Sequence, residues 1–208
     1  MIAAMADKIP SNQTRADISY LILAGGRGQR MAGADKGLML WQGKPMIEHI
    51  MQQLGARTDN TIISANRNQQ QYMEYAAQVI SDNQNNTTGE EHFQGPLAGL
   101  LSALEVCHSQ YLLCVPCDSP APPQNLLPQL QQCMQTQNRQ AGVCHDGERL
   151  QPLFLLLSTQ YRQQLGEYLQ QGHRKVQDFI ALIEPAICDF SAQRGAFRNF
   201  NSTQDMQA

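Results

Sequence analysis

The sequence predicts one α/β domain, a three-layer, Rossmann-like fold whose mostly parallel sheet carries helices on both faces. Three observations predict it. Short apolar runs of strand length alternate with longer stretches whose apolar residues recur at helical spacing, the pattern of stacked βαβ units. The first run, Ile18 to Ala24, breaks abruptly on Gly25-Gly26. A chain of 208 residues that is 42% hydrophobic is long enough for one sizeable core and short for two.

Each element has its own signal. Ile18 to Ala24 reads as a strand buried on both faces, because its apolar run is nearly continuous. In Pro45 to Leu54, residues Met46, Ile47, Ile50, Met51 and Leu54 share a helical face, with Pro45 at a favourable first-turn position. Thr61 to Ala65 is a second strand, Asn68 to Ala77 a short helix and Gln78 to Ile80 a third strand. Pro96 to Cys107 repeats the proline-led helix, and Tyr111 to Val115 is a fourth strand. Asn125 to Gln137 is a glutamine-rich helix, followed by strands at Ala141 to Cys144 and Pro152 to Leu157. Helices at Gln160 to Gln171 and Lys175 to Ile183 precede extended pieces at Ala186 to Phe190 and Phe197 to Phe200. Residues 1–16 are expected as a flexible N-terminal extension, 17–203 as the domain and 204–208 as a frayed tail. In open parallel sheets, ligands bind beyond the carboxyl ends of the strands. The loops after Ala24, Ala65, Ile80 and Val115 are therefore expected along one edge. Asp82 to Gln94 is polar and without an apolar period, and is expected there as a mobile loop.

Composition excludes several classes. Apolar content is too high for a disordered chain. A net charge of -3 without a basic patch gives no support to a nucleic-acid binder. No stretch approaches the roughly 20 apolar residues of a membrane span, and no basic segment precedes the short apolar run Ile2 to Ala6. The expectation is a soluble, cytoplasmic protein, with a monomer as the default. The six cysteines are then reduced core thiols. Cys114 and Cys117 have the spacing of half a zinc site or a redox pair, but no second C-x-x-C completes it, and they read as a buried strand end.

The chemistry concentrates after the first strand. Gly25, Gly26 and Gly28 let backbone N–H groups converge without side-chain obstruction, and such a concave array binds phosphates. Arg27, Arg30 and Lys36 add positive charge around the same point. A dinucleotide fingerprint would need glycine where Met31 stands, and a Walker A loop would need a glycine and a hydroxyl flanking the lysine, where Asp35 and Gly37 stand. A purely structural glycine turn is the simpler alternative.

L-A-G-G-x-G-x-R-M, followed by D-K-G-L and G-K-P, resembles the signature of the sugar-nucleotide type of nucleotidyltransferase, and more narrowly the molybdenum cofactor guanylyltransferase family (MobA-type). Ser64 to Arg67, Ile80 to Asp82, Gly95 to Gly99, Cys117 to Pro120, His145 to Arg149 and Phe197 to Asn201 are similar to that family as well. The resemblance covers Ile18 to Thr203 and implies a nucleotide-diphospho-sugar transferase-like fold. It also implies transfer of GMP from GTP to the terminal phosphate of molybdopterin or molybdenum-molybdopterin, with Mg²⁺ as cofactor. Transient contacts with molybdopterin-carrying proteins and molybdoenzymes would follow, with no nucleic acid or membrane involved. Two features depart from the family: Ser64 stands where an asparagine is usual, losing an amide directed at the nucleotide, and the loop from Asp82 to Gln94 is longer.

The resemblance distributes roles. Leu23, Ala24 and Gly25 present backbone to GTP, and Gly26 and Gly28 shape the phosphate cradle. Lys36 and Arg30 neutralise charge building on the leaving pyrophosphate. Asp118 holds the metal, while Asp82 and Asn66 contact the nucleotide. Each has a plainer alternative: Asp118 as a turn former or helix cap before Ser119-Pro120, Lys36 as a solvated lysine, and Asn199 and Asn201 as either acceptor-side residues or a strand end. His145-Asp146 reads as a polar turn. The L-A-G-G letters favour GTP over CTP. A nucleotidyltransferase for another acceptor (cytidylyl transfer to molybdopterin, or a sugar phosphate) and a nucleotide-binding regulator or cofactor chaperone are the competing readings.

Overall fold

The computed structural model describes residues 18–25, 35–81, 95–201 and 205. The expected N-terminal extension, the whole polar 82–94 loop and all of the 204–208 tail except Asp205 lie outside the described residues.

A seven-stranded sheet forms the middle layer, in the order β5-β4-β1-β6-β8-β7-β9. Its strands are β1 (Ile18–Leu23), β4 (Thr61–Ser64), β5 (Gln78–Ile80), β6 (Tyr111–Pro116), β7 (Ala141–His145), β8 (Leu150–Ser158) and β9 (Ala186–Asp189). β5, β4, β1 and β6 run parallel. β8 is antiparallel to both of its neighbours, and β9 is parallel to β7. Only β8 is reversed, so the carboxyl ends of the other six strands share an edge.

Alternation across β1 builds the layers. Ile18, Tyr20 and Ile22 face one core with α1 (Met46–Leu54), α2 (Gln69–Tyr72) and α4 (Leu126–Thr136). Leu21 faces the other, with α3 (Pro96–Val106), α5 (Arg162–Gln170) and α6 (Val176–Ile183). A central strand covered twice has no solvent face, which is why its letters are apolar except for Ser19. The three-layer expectation is borne out. No helix among the described residues is long and apolar enough to cross a membrane.

Several local readings are corrected. β2 (Leu40–Trp41) and β3 (Lys44–Pro45) form a hairpin that the sequence reading left out. Gln42 and Gly43 sit at φ 48° and 81°, the left-handed pair a tight two-residue turn demands, so Pro45 ends a strand and the helix begins at Met46. The helix expected over Asn68 to Ala77 ends at Tyr72. Glu74 and Tyr75 donate to Gln71 and Tyr72, three residues back, and Ala77 N–H turns to the Thr58 carbonyl at 2.7 Å. Phe197 to Phe200 forms no strand, although Arg198 is locally extended. Ser191–Phe197 winds as 3₁₀ turns because Phe197 packs edge-on against Phe154 and Phe190. Cys114 and Cys117 lie in the cores on opposite faces of the sheet and are free thiols, as a buried strand end requires.

The turn between β7 and β8 is polar, as expected, and it is built around a buried carboxylate. Asp146 accepts from the backbone N–H of Glu148 (2.9 Å) and Arg149 (2.8 Å) and from Gln151 Nε2 (2.6 Å). The Arg149 and Glu148 amides, with Gln151 and Arg194, outweigh desolvation and hold its pKa down at about 2. A lowered pKa contributes stability above the ordinary carboxylate range and loses it as pH falls from about 3.8 towards 2. Asp146→Ala should therefore destabilise the domain by about 2 kcal/mol at pH 7. Urea unfolding should show that difference shrinking towards pH 2.

Candidate active site

Backbone hydrogen bonds carry the ladder past the strand ends. Ala24 N–H donates to Ser64 O at 2.8 Å, Ala65 to Ile80 O at 2.8 Å and Cys117 to Leu23 O at 3.0 Å. The chain therefore leaves β1, β4, β5 and β6 at one edge, as expected. Leu23, Ala24 and Gly25 turn away there beside Asn66. A Cβ on Gly25 would lie 3.4 Å from Asn66 Nδ2, and Asn66 Oδ1 accepts from Ser81 Oγ at 2.9 Å. These four expected residues are brought together. Gly26, Arg27, Gly28, Arg30 and Asp82 lie outside the described residues.

Ser64 is not at this surface. It is buried against α3, where a Cβ added to Gly99 would meet its Oγ at 2.5 Å. Gly99, which has no side chain, leaves room for the serine hydroxyl where helix and sheet approach closely.

The segment Asp35 to Leu38 aims a lysine at the edge. Lys36–Leu38 makes a single 3₁₀ turn. Asp35 before it accepts from the Tyr72 hydroxyl and from Asn68 Nδ2 at 3.1 Å. Burial, with Cys117 and Asp35 nearby, pushes the Tyr72 hydroxyl far above its ordinary pKa, so it remains a donor. On the other side, buried Gly37 lies flat against that ring, and a Cβ there would come within 2.5 Å of the hydroxyl oxygen. With the backbone pinned on both sides, Lys36 Nζ reaches Asp118 Oδ2 at 3.1 Å and Asn201 Oδ1 at 2.6 Å.

Asp118 leaves the end of β6 with its carboxylate turned to Lys36; the two side chains are 22% and 21% exposed. Partly solvated pairs add about 0–1 kcal/mol to stability. Holding the fold together is thus a small part of what this pair can do. An ammonium and a carboxylate beside the carboxyl end of β1 can bind a polyphosphate and a cation together. Lys36 is thus not a freely solvated lysine, whereas Asp118 does lie in the turn that follows β6, as its plainer alternative has it.

A third segment was missed as a group. Phe200 N–H donates to Asp118 O at 2.7 Å and Ser119 Oγ donates to Asn199 Oδ1 at 2.8 Å. Trp41 of the hairpin packs edge-on against Phe200, with centroids 5.3 Å apart. Nothing in local spacing brings residues 198–201 to residues 36 and 118. Their only sequence signal was the resemblance of Phe197 to Asn201 to a family motif.

A three-layer sheet with its ligand-type groups gathered on the carboxyl edge, where the glycine-rich sequence leaves β1, fits the nucleotidyltransferase class with the nucleotide-diphospho-sugar transferase fold. Residues 20–186 match the model of the MobA-like NTP transferase domain. The molybdenum cofactor guanylyltransferase of Histophilus somni is 44% identical over 91% of this chain and 94% of its own length. That of Mannheimia succiniciproducens is 41% identical over 92% and 97%. The crystal structure of molybdopterin-guanine dinucleotide biosynthesis protein A from Archaeoglobus fulgidus superposes with a TM-score of 0.67 at 20% identity, over 91% of this chain and 95% of that one. The chain belongs to the molybdenum cofactor guanylyltransferase family.

Proposed function

We propose that the protein transfers GMP from GTP to the terminal phosphate of molybdopterin, with or without molybdenum, giving molybdopterin guanine dinucleotide and pyrophosphate. The observation that carries this reading is the Lys36–Asp118 pair beside the Leu23 to Gly25 turn, in a chain whose relatives bear that name.

An acceptor phosphate oxygen attacks the α-phosphorus of GTP. A new P–O bond forms, the bond to the β-phosphate oxygen breaks, and its electron pair leaves with pyrophosphate. The second pKa of a phosphate monoester is about 6, so the nucleophile is mostly ionised at neutral pH and needs no protein base. The protein supplies alignment and charge. Backbone at Leu23, Ala24 and Gly25, with Asn66 beside it, holds the nucleotide, and Gly26 and Gly28 shape the cradle. Lys36, with Arg30, neutralises the leaving phosphates, and Asp82 contacts the nucleotide.

Mg²⁺ fits the donors present. Asp118 offers a partly exposed carboxylate, a hard ligand of the kind that Mg²⁺ combines with substrate phosphates and water rather than with an all-protein cage. When bound, it supplies Lewis-acid neutralisation of phosphate oxygens. Asp118 would hold it.

Purified protein given Mg²⁺, molybdopterin and each nucleoside triphosphate in turn should release pyrophosphate with GTP, and at least about tenfold more slowly with CTP or ATP, since a mismatched base leaves buried polar groups without partners. Turnover with CTP instead would make it a cytidylyltransferase. Silence with every triphosphate would leave a nucleotide-binding regulator.

A further inference from the structure

Lys36 is held by a part of the chain to which the proposed reaction gives no role. Its ammonium has two acceptors, one on Asp118 and one, at 2.6 Å, on Asn201, 165 residues away. Asn201 is itself tied down, since its backbone N–H donates to the Asp205 carboxylate at 2.9 Å. Asp205 also pairs with Arg198 at 3.2 Å, whose guanidinium lies 5.7 Å from the centroid of the Phe200 ring. Phe200 donates its N–H to the Asp118 carbonyl and takes the edge of Trp41 on its ring. Asn199 receives the hydroxyl of Ser119, next to Asp118. Residues 198–201 therefore bridge three segments: the hairpin, the Lys36 turn and the end of β6.

A lysine is a point charge on a flexible stem with about 2 kcal/mol of rotamer entropy. One partly solvated carboxylate fixes such a group poorly. A second acceptor from another segment narrows its choice of positions. We propose that Asn201 is a positioning residue for Lys36, and that Arg198 to Asn201 form a strap holding the ammonium at the carboxyl edge before nucleotide arrives. Both asparagine amide oxygens are then engaged within the chain, which assigns this segment to the nucleotide half of the site. The effect on GTP rests on the proposed guanylyl transfer; the placement of the ammonium does not.

The test uses Asn201→Ala and Asn201→Asp, the latter retaining an oxygen acceptor. Full-length wild-type and variant proteins are acetylated briefly with an N-hydroxysuccinimide ester, and Lys36 is quantified by peptide mass spectrometry against exposed Lys44. A lysine nitrogen held between two acceptors and largely covered is less accessible to the reagent than one freed from the second acceptor. Lys36 in Asn201→Ala should react about three- to tenfold faster relative to Lys44, and in Asn201→Asp at the wild-type rate; equal rates in wild type and Asn201→Ala overturn the proposal. GTP titration supplies a second readout. Asn201→Ala should weaken GTP binding about fivefold with little change in the KM for the acceptor, and should add nothing in a Lys36→Ala background. A loss confined to acceptor KM, or full additivity with Lys36→Ala, also overturns it. If wild type binds no GTP, guanylyl transfer fails as the function, while the acetylation comparison still decides the strap. Emission from Trp41, the sole tryptophan, should be unchanged in Asn201→Asp, marking the strap as docked.

Discussion

Asp118→Ala is expected to lower pyrophosphate release by about a hundredfold or more, equivalent to ~3 kcal/mol of transition-state stabilisation. In the proposed mechanism the carboxylate contributes its charge where substrate phosphates and Lys36 converge, and its removal would take away the protein's share of the proposed cation site. The fold should barely notice. The Asp118 carbonyl, which receives Phe200 N–H, belongs to the backbone and survives the substitution, and a partly solvated ion pair is worth at most about 1 kcal/mol. The melting temperature should thus stay within about 4 °C of wild type. Asp118→Asn sharpens the test, because it keeps an oxygen to accept from Lys36 but loses the charge. It should be nearly as impaired as the alanine variant. A fully active Asp118→Asn would show that the charge is not what the site uses.

Gly37→Ala should have the largest effect on stability, with a consequence for the site. The added methyl group would stand 2.5 Å from the Tyr72 hydroxyl and 3.3 Å from two ring carbons. Tyr72 is fully buried and bonded through that hydroxyl to Asp35, so neither partner moves freely. Overpacking of this kind costs about 1–3 kcal/mol, which in a chain of this length corresponds to a fall of about 5 °C in melting temperature. Because Gly37 follows Lys36 directly, the displaced backbone should weaken GTP binding as well. Combining Gly37→Ala with Tyr72→Phe removes the nearest clashing atom and should recover part of the lost stability, a non-additivity that urea unfolding would measure. Failure of the second substitution to recover anything would show that the ring, not the hydroxyl, sets the limit.

These residues differ in how they could be read. β1 and β6 were legible because a strand covered on both faces must be apolar throughout, and their order with α1 and α3 made a parallel sheet the simplest arrangement. The carboxyl edge followed from that arrangement, and with it the neighbourhood of Gly25, Asn66 and Asp118. Lys36 was legible as a cation near the glycine turn, and the D-K-G letters now have a mechanical meaning: Asp35 ties the turn to Tyr72 and Gly37 leaves space for the same ring. That Ser64 turns towards Gly99 was not legible, because its letter says nothing about which side of a strand end it faces. The β2–β3 hairpin was overlooked although Gln42-Gly43 carried the turn signal, since two-residue strands show no period.

Local chemistry in the chain was enough to specify the layered sheet, the glycine turn and the edge at which ligands meet it, because apolar periods of two and 3.6 residues and glycine's conformational freedom act over a few neighbouring positions. Folding alone decided that Lys36 meets Asp118 and Asn201, that Phe200 lies against Trp41, and that Ser64 turns inward to Gly99. Contacts spanning 82 and 165 residues leave no periodic trace. They exist only once the packed layers have brought the ends of separate strands to the same edge.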